Sequence, residues 1–322
     1  MSAIPMFKRI VITGGHGFLG QTVTDMFRRR EVQTVSLSRR EGVDLRDPSA
    51  VTHFLKDSKP DCVIHCAAHV GGIGYVREHA VEVFNDNLRM AMGLTEGLAN
   101  AGVERLVTVM PNCTYPGTKQ VFREDEWWDG PLHESVLMYG LPRKVLWGLC
   151  WTHAQQGRLK AAHLILPNLY GPGDHFDAIR SHALGALIAR IVDAHRQGED
   201  TVEIWGTGRP IREWLFVQDA ARAICDFTAC ASTSDDALAP DNPLFNVGIG
   251  EGISIKALAE EIRGAVGWKG AFVFDRTRPD GATKKVLDGK RFCELTGWRP
   301  AVTLEAGIER TVEWYVRNLV ES

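Results

Sequence analysis

No apolar run in this 322-residue sequence approaches the roughly 20 residues that a helix needs to cross a bilayer, so we predict no membrane span. An excess of basic charge is also missing: the formal net charge is -3, which argues against nucleic acid as a partner. The seven cysteines lack the paired spacing of a metal site or a disulfide framework. Residues Met1 to Lys8 contain no apolar core of a signal peptide. Together these absences predict a cytoplasmic, water-soluble protein without a metal.

The sequence does contain a regular alternation of short β-branched runs with longer amphipathic stretches over its first 170 residues. The runs typical of strands are Arg9–Thr13, Gln33–Leu37, Cys62–His65, Arg105–Val109 and Ala162–Leu166, and the helix-length segments are Phe18–Arg30, Glu78–Ala101 and Ser135–Gln156. This alternation predicts an α/β fold with a doubly wound, parallel Rossmann sheet.

After Asn168 the alternation loosens, and loops rich in Gly, Pro, Asp and Arg appear. Helices are predicted near 181–196, 254–266 and 304–318, and a solvated loop is predicted over Ala231–Asp241. We therefore predict a dinucleotide-binding domain over residues 1–170. Residues 171–322 would form a smaller substrate-binding lobe, interleaved with the last strands of the sheet.

A glycine motif directly follows the first predicted strand. In Gly14-Gly15-His16-Gly17-Phe18-Leu19-Gly20, the three glycines of a GxxGxxG pattern fall at the turn into the first helix. Gly14 permits a tight turn, Gly17 lets the backbone approach a pyrophosphate, and Gly20 allows the helix to pack closely on the strand. The helix N-terminus, with Phe18 and Leu19, offers free N–H groups to phosphate. The position of the motif predicts a dinucleotide site.

The end of the second strand determines which dinucleotide is expected. An acidic residue there would bind the adenosine 2′-hydroxyl of NAD, but Arg39 and Arg40 occupy the position and suit a 2′-phosphate. We therefore predict NADP(H). A solvated pair of arginines is the alternative, and it leaves NAD(H) open. Asp44-Leu45 follows and is assigned to the adenine, while Ala67-Ala68-His69 follows the third strand, where the central part of the cofactor would pass.

These pieces resemble the extended short-chain dehydrogenase/reductase superfamily, and further segments resemble the GDP-L-fucose synthase (GDP-4-keto-6-deoxymannose epimerase-reductase) family. The segments that carry the resemblance are Ala67–Ile73, Asn112-Cys113-Thr114-Tyr115-Pro116, Pro167–Pro172, Ser181-His182, Trp205–Glu213 (Trp-Gly-Thr-Gly-Arg-Pro-Ile-Arg-Glu) and Pro279-Asp280-Gly281 with Lys284–Asp288. They span nearly the whole chain in the family's order. The resemblance implies a GDP-sugar substrate, NADPH and a homodimer, whose interface would be formed by the helices over Glu78–Ala101 and Ser135–Gln156.

The resemblance makes Tyr139 the acid-base group at the sugar oxygen, with a nearby cation lowering the pKa of its phenol. The family's lysine four residues later is replaced by Arg143, and the lysine present is Lys144. Four residues bring two side chains onto one helix face, so Arg143 takes the lysine position. Tyr139 and Arg143 are also expected to contact the cofactor, as is Asn87.

The family's catalytic serine is absent, because its position holds Pro111. Proline has neither a hydroxyl nor a backbone N–H to offer. Asn112 and Thr114 are the two candidates for a replacement donor. Cys113 and His182 match the pair that moves protons beside the ketone during epimerisation in the resembling family. A thiol and an imidazole both serve near neutral pH. For each of them, a purely structural role is the alternative.

The resemblance assigns the remaining site residues to the substrate: Asn168, Arg190, Trp205, Arg212 and Lys284, with Lys285 as the alternative lysine. Guanidinium groups grip phosphate oxygens bidentately, and an indole stacks on a base. Trp127 and Trp128 lie in an acidic segment and receive no functional role.

The sequence thus predicts an epimerase-reductase on a GDP-4-keto sugar. The changes at positions 111 and 143 keep two alternatives open. One is an epimerase, 4-epimerase or dehydrogenase on another GDP-hexose or GDP-heptose. The other is a dinucleotide-binding scaffold that has lost the chemistry.

Overall fold

The computed structural model describes residues 7–177, 181–233, 235–238, 241, 243–278 and 280–320. The first six residues and Pro279, which were part of the sequence argument, lie outside the described residues.

The first half of the chain alternates strands and helices, as predicted. In chain order the elements are β1 (Arg9–Thr13), α1 (Phe18–Arg29), β2 (Gln33–Leu37), α2 (Pro48–Ser58), β3 (Cys62–His65), α3 (Ile73–Glu78), α4 (Ala80–Ala101), β4 (Arg105–Pro111), β5 (Val121–Phe122), α5 (Leu137–Gln155), β6 (Lys160–Leu166) and β7 (Asn168–Tyr170). The helix predicted over Glu78–Ala101 therefore begins at Ala80, directly after α3.

The second half has shorter strands. Its elements are α6 (Ala183–Gln197), β8 (Thr201–Trp205), β9 (Ile211–Arg212), β10 (Trp214–Phe216), α7 (Val217–Thr233), β11 (Leu244–Asn246), β12 (Ile253–Ser254), α8 (Ile255–Val266), β13 (Ala271–Asp275), β14 (Lys284–Leu287), α9 (Lys290–Thr296) and α10 (Leu304–Val320).

The prediction of a solvated loop over Ala231–Asp241 is wrong where the structure describes it. Helix α7 continues to Thr233, and a 3-10 turn follows over Asp235–Leu238. Ala237 and Leu238 are buried against the core. The Ser, Thr and Asp residues of this segment concealed the alanines and the leucine that extend the buried face.

The main sheet is parallel, with the strand order β11-β6-β4-β3-β1-β2 among the described residues. Both faces of this sheet are covered, because successive residues of β1 point to opposite cores: Ile10 and Ile12 pack with α1 and α7, and Val11 packs with α2 and α4. This arrangement confirms the predicted doubly wound fold. The chain order changes direction between β1 and β3, and the carboxyl ends of such strands form the binding crevice of the fold.

The rest of the chain builds a third core around α6, α8 and α10. A mixed sheet with the order β12-β9-β14-β5 joins this part to the first half, because β5 belongs to the first half of the chain. Strand β11 likewise joins the second half to the main sheet. In the described part of the chain, no helix combines the length and the apolar character required to span a membrane.

Candidate active site

The glycine turn lies between the carboxyl ends of β1 and β3. Gly14 has φ of 68°, and a Cβ there would lie 2.8 Å from the Cα of Ala67. A Cβ at Gly20 would lie 2.1 Å from the carbonyl oxygen of Gly14. Larger residues at these two positions would push the helix and strand apart. Gly17 precedes α1 and provides no side-chain cap, so the first N–H groups of Phe18 and Leu19 are available. The turn therefore fits a dinucleotide pyrophosphate.

Arg39 and Arg40 lie in a 3-10 turn at the end of β2, and both side chains are exposed. Neither guanidinium makes a hydrogen bond to the described residues. The carboxylate of the neighbouring Glu41 is occupied, since it bonds to His16 of the glycine turn and to Ser38. Those contacts contribute to a lowered pKa of Glu41, against the opposing effect of burial. Arg39 and Arg40 are therefore two exposed positive charges at this end of the sheet, without a hydrogen bond or ion pair to the described residues.

Asp44 and Leu45, assigned to the adenine, have their side chains engaged within the protein. Arg46 bonds both carboxylate oxygens of Asp44, with Nη2 to Oδ2 at 2.6 Å, and this contact lowers the pKa of Asp44. Leu45 belongs to the core. Only the backbone of this segment is thus left for a ligand, and its role in binding the adenine stays a prediction.

Arg143 is the centre of a buried polar cluster beneath the crevice, and only 3% of its surface is exposed. Its guanidinium donates to the carbonyl oxygen of Ala67 at 3.3 Å and to Oδ1 of Asn87 at 3.0 Å. The Asn87 side chain also bonds to the backbone N–H and carbonyl of His69. Four predicted cofactor residues are thus joined, and Arg143 Nε is buried without a hydrogen-bond partner among the residues that the structure describes. Ala68 lies between two of these residues in the chain.

His65 completes this cluster, although the sequence did not identify it as a functional residue. Arg143 Nη1 lies 3.3 Å from its Nε2, and its Nδ1 lies 2.8 Å from Oγ1 of Thr13. Burial, reinforced by the Arg143 charge, lowers the pKa of His65 to about 3. The imidazole is therefore neutral and accepts from Arg143 at Nε2, which requires the proton to be on Nδ1. A histidine at the end of an apolar strand was the only signal for it.

Tyr139 lies one helical turn before Arg143 on α5, and the guanidinium carbon lies 5.5 Å from the centre of its ring. Arg143 acts on the pKa of Tyr139 in the expected, lowering direction, but the net shift is upward. Burial raises the pKa of Tyr139, and the charge of Arg143 opposes this effect without exceeding it. The phenol therefore keeps its proton at neutral pH and is ready to act as an acid.

Cys113 is next to this pair. A Cβ on Gly140 of α5 would lie 3.0 Å from the carbonyl oxygen of Cys113, so the helix packs directly against its loop. Burial raises the pKa of the Cys113 thiol to about 11, while the charges of Lys285 and Arg143 act in the opposite direction. The thiol is consequently protonated in the free protein at neutral pH.

The structure brings Lys285, and not Lys284, to Cys113. Strand β14 pairs with β9 in parallel, with Lys285 beside Arg212 and Lys284 beside Ile211. Successive residues of a strand point to opposite faces, so Lys285 and Arg212 share the face of the thiol. Burial lowers the pKa of Lys285 and of Arg212.

His182 directly precedes α6, next to residues 178–180, which lie outside the described residues. His182 is exposed on one side. The protein around it still removes part of its water, and this desolvation, with a smaller contribution from the charge of His175, lowers the pKa of His182 below the usual value. No hydrogen bond joins His182 to Cys113 or Tyr139 in the described part of the chain. Its pairing with Cys113 across a substrate stays a prediction.

Arg190 and Trp205 form a separate cluster with Arg278, which the sequence did not identify. The guanidinium carbons of Arg190 and Arg278 lie 5.8 Å and 4.9 Å from the centre of the exposed Trp205 ring. Arg190 Nη1 also donates to the carbonyl oxygen of Glu203 at 2.9 Å. Two cations beside one exposed indole suit a nucleotide, whose base stacks and whose phosphates are anionic.

Glu213 is a buried carboxyl that holds three segments of the substrate side together. It accepts hydrogen bonds from the backbone N–H groups of Ile249, Gly250 and Leu287, and burial raises its pKa to about 7. Asn168 Nδ2 donates to the carbonyl oxygen of Glu213 at 3.0 Å. Glu213 thereby positions strand β14, which carries Lys285. The sequence showed it only as the end of the Trp205–Glu213 motif.

The loop that carries Cys113 is braced by the two tryptophans of unknown role. Trp127 is buried, and its Nε1 donates to Oγ1 of Thr114 at 2.9 Å. Lys144 donates to the carbonyl oxygen of Trp127, and its ammonium lies 4.2 Å and 4.3 Å from the ring centres of Trp127 and Trp128. Lys144 therefore points away from Tyr139, as its spacing on the helix indicated, and burial lowers its pKa to about 8.

Taken together, a glycine turn at the switch point of a parallel sheet and a Tyr-Arg pair beside it define a dinucleotide-dependent enzyme of the Rossmann type. Within the described ranges, no group of acidic, histidine or cysteine side chains could hold a metal ion. The model of the NAD dependent epimerase/dehydratase family matches residues 10–248, and the chain belongs to this enzyme family.

Several proteins similar to this chain are named for GDP-sugars. The chain is 31% identical over 324 residues to a GDP-L-fucose synthase of Sinorhizobium fredii, covering 99% of this chain and 100% of the relative. It is 30% identical over 312 residues to a GDP-L-colitose synthase of Yersinia pseudotuberculosis, covering 96% and 98%. The crystal structure of a GDP-L-fucose synthetase from Naegleria fowleri bound to NADP superposes with a TM-score of 0.83 at 26% identity, covering 98% of this chain and 94% of that chain.

Proposed function

We propose that this protein is an NADP(H)-dependent epimerase-reductase acting on a GDP-4-keto sugar. The observation that carries the proposal is the convergence of Cys113, Tyr139, Arg143 and Lys285 beside the glycine turn. The names of the relatives, a GDP-L-fucose synthase and a GDP-L-colitose synthase, support the substrate class.

In the proposed reaction, Cys113 and His182 exchange protons with the carbons beside the ketone, each from one face of the sugar. Abstraction of such a proton leaves an enolate, and its return from the other face inverts the carbon. Tyr139 then donates a proton to the carbonyl oxygen as the ketone becomes a hydroxyl. NADPH, held by the glycine turn and by Arg143, would supply the hydride.

Two groups of residues would bind the substrate. Lys285 and Arg212 would bind its anionic or polar groups. Its nucleotide would be bound by Arg190, Trp205 and Arg278.

The test is turnover of GDP-4-keto-6-deoxymannose with NADPH in deuterated water. The proposal predicts loss of the NADPH absorbance at 340 nm together with deuterium in the product at the carbons beside the former ketone. Deuterium exchange without NADPH oxidation would favour an epimerase that does not reduce, which the proline at position 111 makes the second candidate. A protein inert toward this and other GDP-hexoses and GDP-heptoses would be a binding scaffold.

The choice of NADP(H) rests on Arg39 and Arg40. Replacing Arg39 and Arg40 with Ala should weaken NADPH binding by about 1–3 kcal/mol, since a charge-assisted pair with the 2′-phosphate is lost, and should leave NADH binding nearly unchanged. Fluorescence titration with both cofactors measures this. The matched control is the double change of Arg28 and Arg29 to Ala, which removes two exposed arginines at the far end of α1. An equal loss for NADPH and NADH would contradict the assignment.

We also propose that the protein is a homodimer, located in the cytoplasm as the unpaired cysteines predict. Helices α4 and α5 pack side by side and expose the apolar side chains of Val81, Met92, Leu141 and Trp151. A second copy that presents the same face would cover them.

Light scattering at micromolar concentration should give twice the chain mass for the wild type. The double variant Met92→Glu with Trp151→Glu should give the mass of the monomer. Val273→Glu, at an exposed apolar residue of β13, is the control. A monomeric wild type would refute the proposal.

A further inference from the structure

The proposed reaction needs a second hydrogen-bond donor to the carbonyl oxygen of the sugar, and no residue described so far provides it. The inference of that donor rests on the proposed function. When a ketone loses a neighbouring proton or accepts a hydride, negative charge develops on its oxygen. A positioned donor for that oxygen is usually a large contribution to such a reaction. Tyr139 is one donor. The position of the family's serine holds Pro111, the last residue of β4, which has no hydroxyl and no backbone N–H.

Thr114 is excluded as the replacement donor by its contacts. The side chain is fully buried, and its hydroxyl donates to the carbonyl oxygen of Pro111 at 2.8 Å. The hydroxyl oxygen of Thr114 in turn accepts the indole N–H of Trp127. A hydroxyl has only one proton to donate, and here that proton is used inside the loop. The role of Thr114 is to fix the turn over Asn112–Thr114 against Trp127 and Lys144.

Asn112 has the opposite character. Only 7% of its surface is exposed, and its amide Nδ2 is buried without a hydrogen-bond partner in the described part of the chain. Leaving a buried amide unpaired is destabilising, and such groups are rare in folded proteins. The cost is understandable if the amide turns toward the crevice on binding and finds its partner on the substrate.

The surroundings of Asn112 agree with this. It directly follows Pro111 and directly precedes Cys113, in a 3-10 turn whose backbone packs against Gly140, the neighbour of Tyr139. We propose that Asn112 is a catalytic residue, and that its amide N–H donates to the carbonyl oxygen of the keto sugar in place of the missing serine hydroxyl. Asn112 and Tyr139 then bind the same oxygen, and neither forms a covalent bond to the substrate.

The test is a double-mutant cycle between positions 111 and 112. Asn112→Ala should lower kcat for NADPH oxidation by about 10²–10³-fold, the usual effect of losing such a donor, with little change in KM. Asn112→Asp, which keeps the size but removes the donor, should be at least as slow. Pro111→Ser should restore most of the rate in the Asn112→Ala background and should raise the rate much less in the wild-type background, because one donor suffices. A loss of rate in variants that stay folded at the assay temperature and bind NADPH as tightly as the wild type is catalytic.

The outcomes distinguish this inference from the proposed function. If the wild type exchanges deuterium without oxidising NADPH, the exchange rate becomes the readout, since enolate formation needs the same donor. An active wild type whose rate Asn112→Ala retains would overturn the role of Asn112 alone. Additive effects at 111 and 112 would do the same. A wild type without turnover or exchange would overturn the proposed function, and the role of Asn112 with it.

Discussion

Removing the phenol hydroxyl in Tyr139→Phe is expected to slow the reduction of the correct keto sugar by about 10²–10⁴-fold, the usual contribution of a positioned general acid. Burial raises the pKa of Tyr139, so the phenol is protonated throughout the neutral range and can donate a proton. The rate of reduction should therefore not fall from loss of this proton until the pH exceeds about 10, the ordinary pKa of tyrosine. Steady-state NADPH oxidation between pH 6 and pH 9 measures the rate loss in Tyr139→Phe and tests for a pH-independent contribution of Tyr139 in the wild type.

Two neighbouring cations provide the control for this prediction. Arg143→Lys should be tolerated or mildly beneficial, since a lysine still places charge beside the phenol. Lys144→Ala should change kcat little, because its ammonium is held by Trp127 and Trp128 on another face of α5. The opposite ranking would mean that Lys144 turns toward the substrate in the working enzyme. Full activity of Tyr139→Phe would refute hydride transfer assisted by this residue.

Replacing the thiol in Cys113→Ser is expected to slow deuterium exchange beside the ketone by about 10²–10⁴-fold while NADPH still binds, because a serine hydroxyl is a much weaker proton-transfer group. Burial raises the pKa of the wild-type thiol to about 11. If the thiolate removes the proton, the thiolate fraction and the exchange rate should rise with pH over pH 7–9. Mass spectrometry of the recovered sugar follows the exchange. An exchange rate that Cys113→Ser and His182→Ala both leave unchanged would identify another base.

Two adjacent lysines allow a matched test of the electrostatic part of this argument. Lys285→Met removes the charge that lowers the pKa of Cys113, so the thiolate fraction and the exchange rate should fall at a given pH. Lys284→Met makes the same chemical change on the opposite face of β14 and should have a small effect. Equal effects would show that the lysines act by general charge alone.

Much of the fold was predictable because its signals are local. The strand alternation and the glycine motif lie in continuous stretches, and the structure places Gly14 and Gly17 between β1 and α1 and Gly20 in the first turn of α1. The spacing of Tyr139 and Arg143 also suffices to place them on one helix face, since a helix repeats every 3.6 residues. Helix α7 was not predicted, and its last residues were assigned to a solvated loop, because the polar residues around Ala231 conceal a buried face that only its neighbours define.

The sequence by itself determined the fold class, the cofactor turn, and the Tyr139–Arg143 pair, since each depends on residues close together in the chain. Only the tertiary structure decided between Lys284 and Lys285, because the pairing of β14 with β9 sets which lysine faces Cys113. It also removes Thr114 as a candidate donor, because the threonine hydroxyl donates to the carbonyl oxygen of Pro111 and is held in place by the indole N–H of Trp127, 13 residues away. Such choices depend on contacts between separate segments, and the local pattern of residues carries no record of which segments meet.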